Sequence, residues 1–116
     1  MGYIKLENEF KIDDNTEINI FDSVKEPVEY EILGKNRLIL AKIEFQKGTI
    51  KEAGVNGVTI EDLLLICKHR LEEFQKGEFK CTENCLAIEG IKDALKYLNY
   101  RTQDRQKRNV EGTYNK

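Results

Sequence analysis

The chain reads as an α+β protein: an N-terminal small antiparallel β-sheet followed by a long two-helix antiparallel hairpin. Three observations point there. Short runs up to Phe45 alternate apolar with polar residues. From Leu63 the apolar residues recur at 3–4 spacing. One interruption, Gly77 to Cys81, splits that second pattern in two. The expected boundaries are 1–58 for the antiparallel β domain and 59–116 for the helical hairpin and its tail.

In order, Tyr3-Ile4-Lys5-Leu6 and Phe10-Lys11-Ile12 are short, half-alternating strands, with a turn signal at Asp13-Asp14-Asn15. Ile18-Asn19-Ile20 resumes the alternation, and Val28 to Ile32 is a clean period-2 strand behind Pro27, where a missing N–H does no harm. Gly34-Lys35-Asn36 offers a hairpin turn into a strand from Arg37 to Phe45. Lys47-Gly48 and Ala53 to Gly57 end the strand pattern. Thr59 is a good N-cap, and Glu61 and Asp62 complement the helix dipole in the first turn. Leu63, Leu64, Cys67, Leu71 and Phe74 form the first apolar stripe. Gly77 suits a left-handed helix end. Thr82 can cap a second helix whose stripe is Cys85, Ile88, Ile91, Leu95 and Leu98, continuing to about Arg108 before an extended tail.

Composition narrows the function classes. The 116 residues are 40 % apolar and 34 % charged, which suits a soluble chain with a modest core, and so small a core makes oligomer formation a reasonable expectation. A net charge of −2 leaves no global positive field for nucleic acid; the positive charge is local, at residues 101–108. No signal-peptide pattern is visible, and the longest apolar run, Leu63 to Cys67, is far too short to span a bilayer, so an intracellular protein is expected. The three cysteines, an odd number, argue against a disulfide framework, and Cys67 and Cys85 read as small core residues. Their spacing with Cys81 and His69 does not match a common zinc knuckle, so neither metal nor cofactor is expected.

Two places carry candidate chemistry. Continued past Leu98, the second stripe meets Arg101, Arg105 and Arg108. These either form a solvated helix end, where cations are favoured, or an anion site in which each guanidinium offers a planar fork to phosphate oxygens. Asp104 and Glu111 would orient the guanidiniums or accept from ribose hydroxyls. At the turn, Phe79 either closes the hairpin or stacks on a base. Asn84 is placed to read a base edge or to bind phosphate, although Glu78 and Glu83 oppose the phosphate version. No Ser/His/Asp set, phosphate-binding glycine loop or paired-carboxylate motif is present, so no catalytic residue is assigned.

Gly77 to Ala87 follows the pattern G-x-F-x-C-x-E-N-x-L-A, and Ala94 to Thr113 follows A-L-x-x-L-x-x-R-T-x-D-R-x-x-R-x-V-E-G-T. Together they resemble the hairpin shared by the phage Thoeris anti-defence sponges and the anti-CBASS sponges. The β half favours the Thoeris type. The resemblance implies a non-enzymatic protein, acting in the cytoplasm of an infected bacterium, that binds a nucleotide immune signal without cleaving it. For the Thoeris type that signal is a cyclic ADP-ribose isomer, gcADPR, made from NAD by TIR-domain proteins. Some members also bind cyclic di- or trinucleotides of CBASS at a separate site, and members assemble as homodimers or homohexamers. The motif positions carried over as ligand-binding are Phe79, Asn84, Arg101, Asp104, Arg105, Arg108, Glu111 and Thr113. The alternative, judged on charge alone, is a protein- or nucleic-acid-interaction module using the basic end of the second helix.

Length adds a constraint. Helices of about 17 and about 26 residues measure roughly 26 and 39 Å, so the second overshoots the first by roughly 13 Å. Asn84 and Arg101 stand roughly 25 Å apart along one helix, and Asn84 and Arg105 roughly 31 Å. A dinucleotide-sized ligand does not bridge that distance within one chain. Either two chains share a site, or there are two separate sites.

Overall fold

The computed structural model describes residues 3–7, 9–10, 13–21 and 28–107. Among these residues it is α+β: four antiparallel strands, β1 (Tyr3–Lys5), β2 (Glu17–Phe21), β3 (Glu29–Leu33) and β4 (Ile39–Glu44), then three α-helices, α1 (Ile50–Ala53), α2 (Ile60–Phe74) and α3 (Thr82–Lys107). The chain divides into two compact units, Met1–Lys47 with Val55–Val58, and Gly48–Gly54 with Thr59–Lys116.

In the first unit the strands are ordered β1-β2-β3-β4. The register sets Ile4, Ile20, Tyr30 and Ile43 in one row and Ile18, Ile32 and Ala41 in the next, giving the sheet an apolar face. On the other face Lys5, Asn19, Glu31 and Lys42 share a row. Asn19 is only 1 % exposed, and neither polar atom of its side chain has a partner. Such a group costs roughly 1–3 kcal/mol.

Several expectations are corrected here. Phe10 lies in a bend rather than a strand, and Lys11 and Ile12 fall outside the described residues. The β3–β4 turn is a short 3-10 segment, Lys35–Arg37, with Asn36 and Arg37 both at positive φ, which delays β4 to Ile39. Arg37 is held there by Tyr3: its guanidinium lies 5.4 Å from the ring centroid and donates to the phenol oxygen at 2.8 Å. The segment after β4 is not a plain break. Asn56 accepts from the Lys47 N–H and donates to the Lys47 carbonyl, both at 2.8 Å, and Val58 bridges in parallel to Phe45. Leu38, Ile39 and Leu40, where β4 begins, are all exposed.

The second unit opens with the unexpected one-turn helix α1, capped by Thr49 and ended by Gly54 at φ 75°. In α2 Thr59 caps as expected, with a full capping box: the Thr59 hydroxyl accepts from the Asp62 N–H and Asp62 accepts from the Thr59 N–H. Helices α2 and α3 pack against one another. The half-buried line of α3 is Asn84, Ile88, Ile91, Leu95, Leu98, Thr102 and Arg105, spaced 4-3-4-3-4-3. Cys85 is not on it. All three cysteines are exposed, against the expectation that Cys67 and Cys85 are core residues. One residue separates Cys85 from Asn84, and that rotation of about 100° takes the thiol off the packed face. No helix among the described residues is long and apolar enough to cross a membrane.

Candidate functional site

The turn between α2 and α3 is built differently from the sequence expectation. Gly77 is not left-handed; the only positive-φ glycines among the described residues are Gly48 and Gly54. Helix α2 instead stops at Phe74 with Gln75 as an ordinary right-handed C-cap. The Gln75 side chain then closes the loop, its Oε1 accepting from the Cys81 N–H and its Nε2 donating to the Cys81 carbonyl, both at 3.0 Å. Thr82 is the first residue of α3 rather than its cap. A Cβ at Gly77 meets nothing within 4 Å. Gly77→Ala is therefore expected to raise stability by about 0.4–1 kcal/mol through the unfolded chain, measured as the shift of the urea midpoint; a loss would mean the loop needs glycine.

This loop presents Phe79, which is 67 % exposed. The ring is backed edge-on by Phe74 at 6.0 Å, and the Arg70 guanidinium lies 4.5 Å from the Phe74 ring centroid. The closing role foreseen for Phe79 is seen in its contact with Phe74 at the helix end, and most of the ring stays open. Asn84 belongs to the same cluster. Its Nδ2 donates to the Phe79 carbonyl at 3.1 Å. The Asn84 carboxamide is thus partly committed to the loop, and its oxygen is the acceptor left to meet a base or hydroxyl donor. From sequence Phe74 belongs only to the first apolar stripe, and Arg70 carries no assignment. Arg70-x₃-Phe74, one helical turn apart, was the signal that would have found them.

At the other end of α3, Thr102 and Arg105 continue the packed line, while Arg101 and Asp104 are exposed. Thr102 donates from its hydroxyl to the Leu98 carbonyl at 3.2 Å, as a β-hydroxyl on a packed helix face commonly does. Arg101, Asp104 and Arg105 lie within five residues, just over one helical turn. Arg108, Glu111 and Thr113 fall outside the described residues. The structure therefore groups Phe79 with Asn84, and Arg101 with Asp104 and Arg105, as two clusters separated along α3.

Charge along α2 is arranged in local pairs. A hydrogen bond from Lys68 (2.8 Å) holds the Glu72 carboxyl below its ordinary range, and one from Lys76 (2.8 Å) does the same for Glu73 while raising Lys76. These groups are engaged with each other on an exposed helix face, and His69 stands exposed, 3.8 Å from Glu73.

Comparison with known proteins bears on what these clusters are. Residues 38–103 match the family described as Acb2/Tad1, hairpin domain. The span runs from β4 through most of α3, so it includes Phe79, Asn84 and Arg101 and stops just before Asp104 and Arg105. A curated relative, Thoeris anti-defense 1 of Bacillus phage SBSphiJ7, is 48 % identical over 77 residues, covering 66 % of this chain and 54 % of the relative. The chain thus spans about half the length of the curated relative it matches. With more than half of its residues inside that family model, the chain belongs to the Acb2/Tad1 hairpin-domain family of phage anti-defence proteins.

Proposed function

We propose that this protein sequesters, without cleaving it, a cyclic ADP-ribose-type signal of TIR-domain proteins, gcADPR, and thereby inhibits Thoeris immunity. The observation that carries the reading is Phe79: an aromatic ring held out of a hydrogen-bonded loop, with Asn84 beneath it, in a family whose Bacillus phage relative is named for anti-Thoeris action. gcADPR has a purine to stack, ribose hydroxyls to accept from and a pyrophosphate that suits guanidinium forks. The motif matches supply the arginines for the last of these at Arg101 and Arg105, with Asp104 beside them. The groups offered are donors, an acceptor and a stacking face, which is the equipment for holding a nucleotide.

The two clusters work on one ligand only if two chains contribute. Arg101 stands roughly 25 Å from Asn84 along α3, which is longer than a dinucleotide. A second copy is supported by the outer face of α3, where Leu86, Gly90, Asp93, Tyr97 and Tyr100 follow a 4-3-4-3 spacing, and Leu86, Tyr97 and Tyr100 are exposed. Leu86 and Tyr100 are equally far from Asp93, so an antiparallel copy about that point sets leucine against tyrosine twice. It also brings the turn end of one helix beside the arginine end of the other. A homodimer, or a homohexamer of such dimers, is the assembly this favours.

The test is retention followed by release. Protein incubated with gcADPR, washed and heat-denatured should return intact ligand, with mass in solution measured alongside by light scattering. A parallel arm with cyclic di- and trinucleotides reports whether CBASS signals are held as well. Cleaved product, or no retained nucleotide, would sink the proposal. In mixtures that exchange subunits, Asn84→Ala and Arg105→Ala chains should together recover part of the binding each lacks alone; a strictly monomeric chain, or no recovery, rejects the shared site.

A further inference from the structure

We propose that Gln75 is a positioning residue for nucleotide binding, a clamp that holds the Phe79 loop in its binding-ready shape; the role rests on the sequestration reading above. Five residues, Lys76 to Lys80, lie between Gln75 and Cys81, and the ends of this loop are joined by one carboxamide. The Gln75 side chain makes both backbone bonds to Cys81 that a neighbouring strand would make, N–H to Oε1 and carbonyl to Nε2, each 3.0 Å. The backbone bonds within the loop are short-range, such as Lys80 N–H to the Gly77 carbonyl (3.3 Å) and Gly77 N–H to the Phe74 carbonyl (3.2 Å). None of them ties the loop to α3. Gln75 and Asn84 do so from the two sides: Gln75 fixes the backbone at Cys81, and Asn84 fixes the Phe79 carbonyl at 3.1 Å. Phe79 itself is anchored by a single aromatic edge contact, to Phe74 at 6.0 Å.

Each end of the Gln75 carboxamide already holds a backbone bond to Cys81, so the role assigned to it is in the shape of the loop rather than in ligand contact. Its effect passes through preorganisation. A loop already in its bound shape does not lose conformational freedom when the base stacks, whereas a free loop must be ordered by the ligand. Gly77, with neither left-handed φ nor a close neighbour, leaves the loop's conformational freedom high, so the clamp carries the restriction.

Gln75→Leu keeps a helix-favouring side chain, one atom shorter, and removes both bonds; Gln75→Glu keeps an acceptor for the Cys81 N–H and loses the donor. Expected for Gln75→Leu is about tenfold weaker gcADPR binding by calorimetry with helix content unchanged, and an intermediate loss for Gln75→Glu. In a Phe79→Ala background the same change should cost less than twofold, because the ring it positions is gone. A general folding role would instead cost the same in both backgrounds, and that result overturns the proposal. Hydrogen exchange at the Cys81 amide, which needs no ligand, should speed up in Gln75→Leu; unchanged exchange also overturns it. If the unsubstituted chain binds gcADPR and Gln75→Leu binds equally well, the positioning role fails alone. If the unsubstituted chain does not bind, the sequestration reading fails and takes this role with it, while the exchange rate still reports whether the clamp exists.

Discussion

Arg105→Ala should abolish gcADPR retention while leaving the helices intact. Arg105 is half-buried on the continuation of the Ile88–Leu98 line of α3. Two charge-assisted bonds at about 1.5–3 kcal/mol each would be lost, which corresponds to weakening from about a hundredfold to about ten-thousandfold. Replacement by Lys keeps the charge but not the planar fork, and should recover only a minor part. The fold should survive because α2 has 15 residues against 26 in α3; with the two helices starting from one short turn, Arg105 sits on a turn that α2 does not reach. Calorimetry and far-UV circular dichroism on the same preparation check both halves of the statement. Wild-type affinity in Arg105→Ala would remove the arginine end from the site.

The second large effect is expected in the sheet unit, at Gly57. A Cβ at Gly57 would lie 2.5 Å from both the carbonyl carbon and the oxygen of Phe45 and 2.7 Å from the Gln46 nitrogen. These are backbone atoms that cannot swing aside. They belong to the short parallel pairing in which the Val58 N–H donates to the Glu44 carbonyl and the Gln46 N–H donates to Val58, both at 2.9 Å. Gly57→Ala must open that pairing or bend the end of β4. A loss of roughly 1–3 kcal/mol follows, read as a lower urea midpoint, in contrast to the gain expected for Gly77→Ala. Equal behaviour of the two alanine variants would refute the close approach at Gly57.

How far the sequence alone could be read follows from these same residues. Elements with a strong local cause were legible: Thr59 with Asp62 announced the start of α2, and the 3–4 spacing from Ile88 to Leu98 gave the packed face of α3. The α+β order followed from the change of period. Features that depend on contacts between distant residues were not legible. Nothing near Gly57 in sequence reveals that Phe45 lies against it, and Arg37 tolerates a left-handed backbone while Tyr3, 34 positions away, holds its side chain. Gly77 misled because glycine after a helix usually takes the left-handed position, whereas here a glutamine side chain supplies the closing bonds. At the site, Phe79 and Asn84 were legible as a pair through their motif, but the direction of the Asn84 amide and the backing by Phe74 and Arg70 required coordinates.

The family match begins at Leu38, which is not where the molecule would come apart. Strand β4 starts one residue later and is zipped to β3 through Tyr30 and Ile43 and their neighbours. A chain cut at that boundary would carry six strand residues whose inner row of amides and carbonyls has lost its mate, beside the exposed Leu38, Ile39 and Leu40. Such an edge recruits whatever strand it meets. The edge of the family match and the edge of the folded sheet therefore do not coincide. A segment that begins at Leu38 would need another strand laid along β4 in the place of β3.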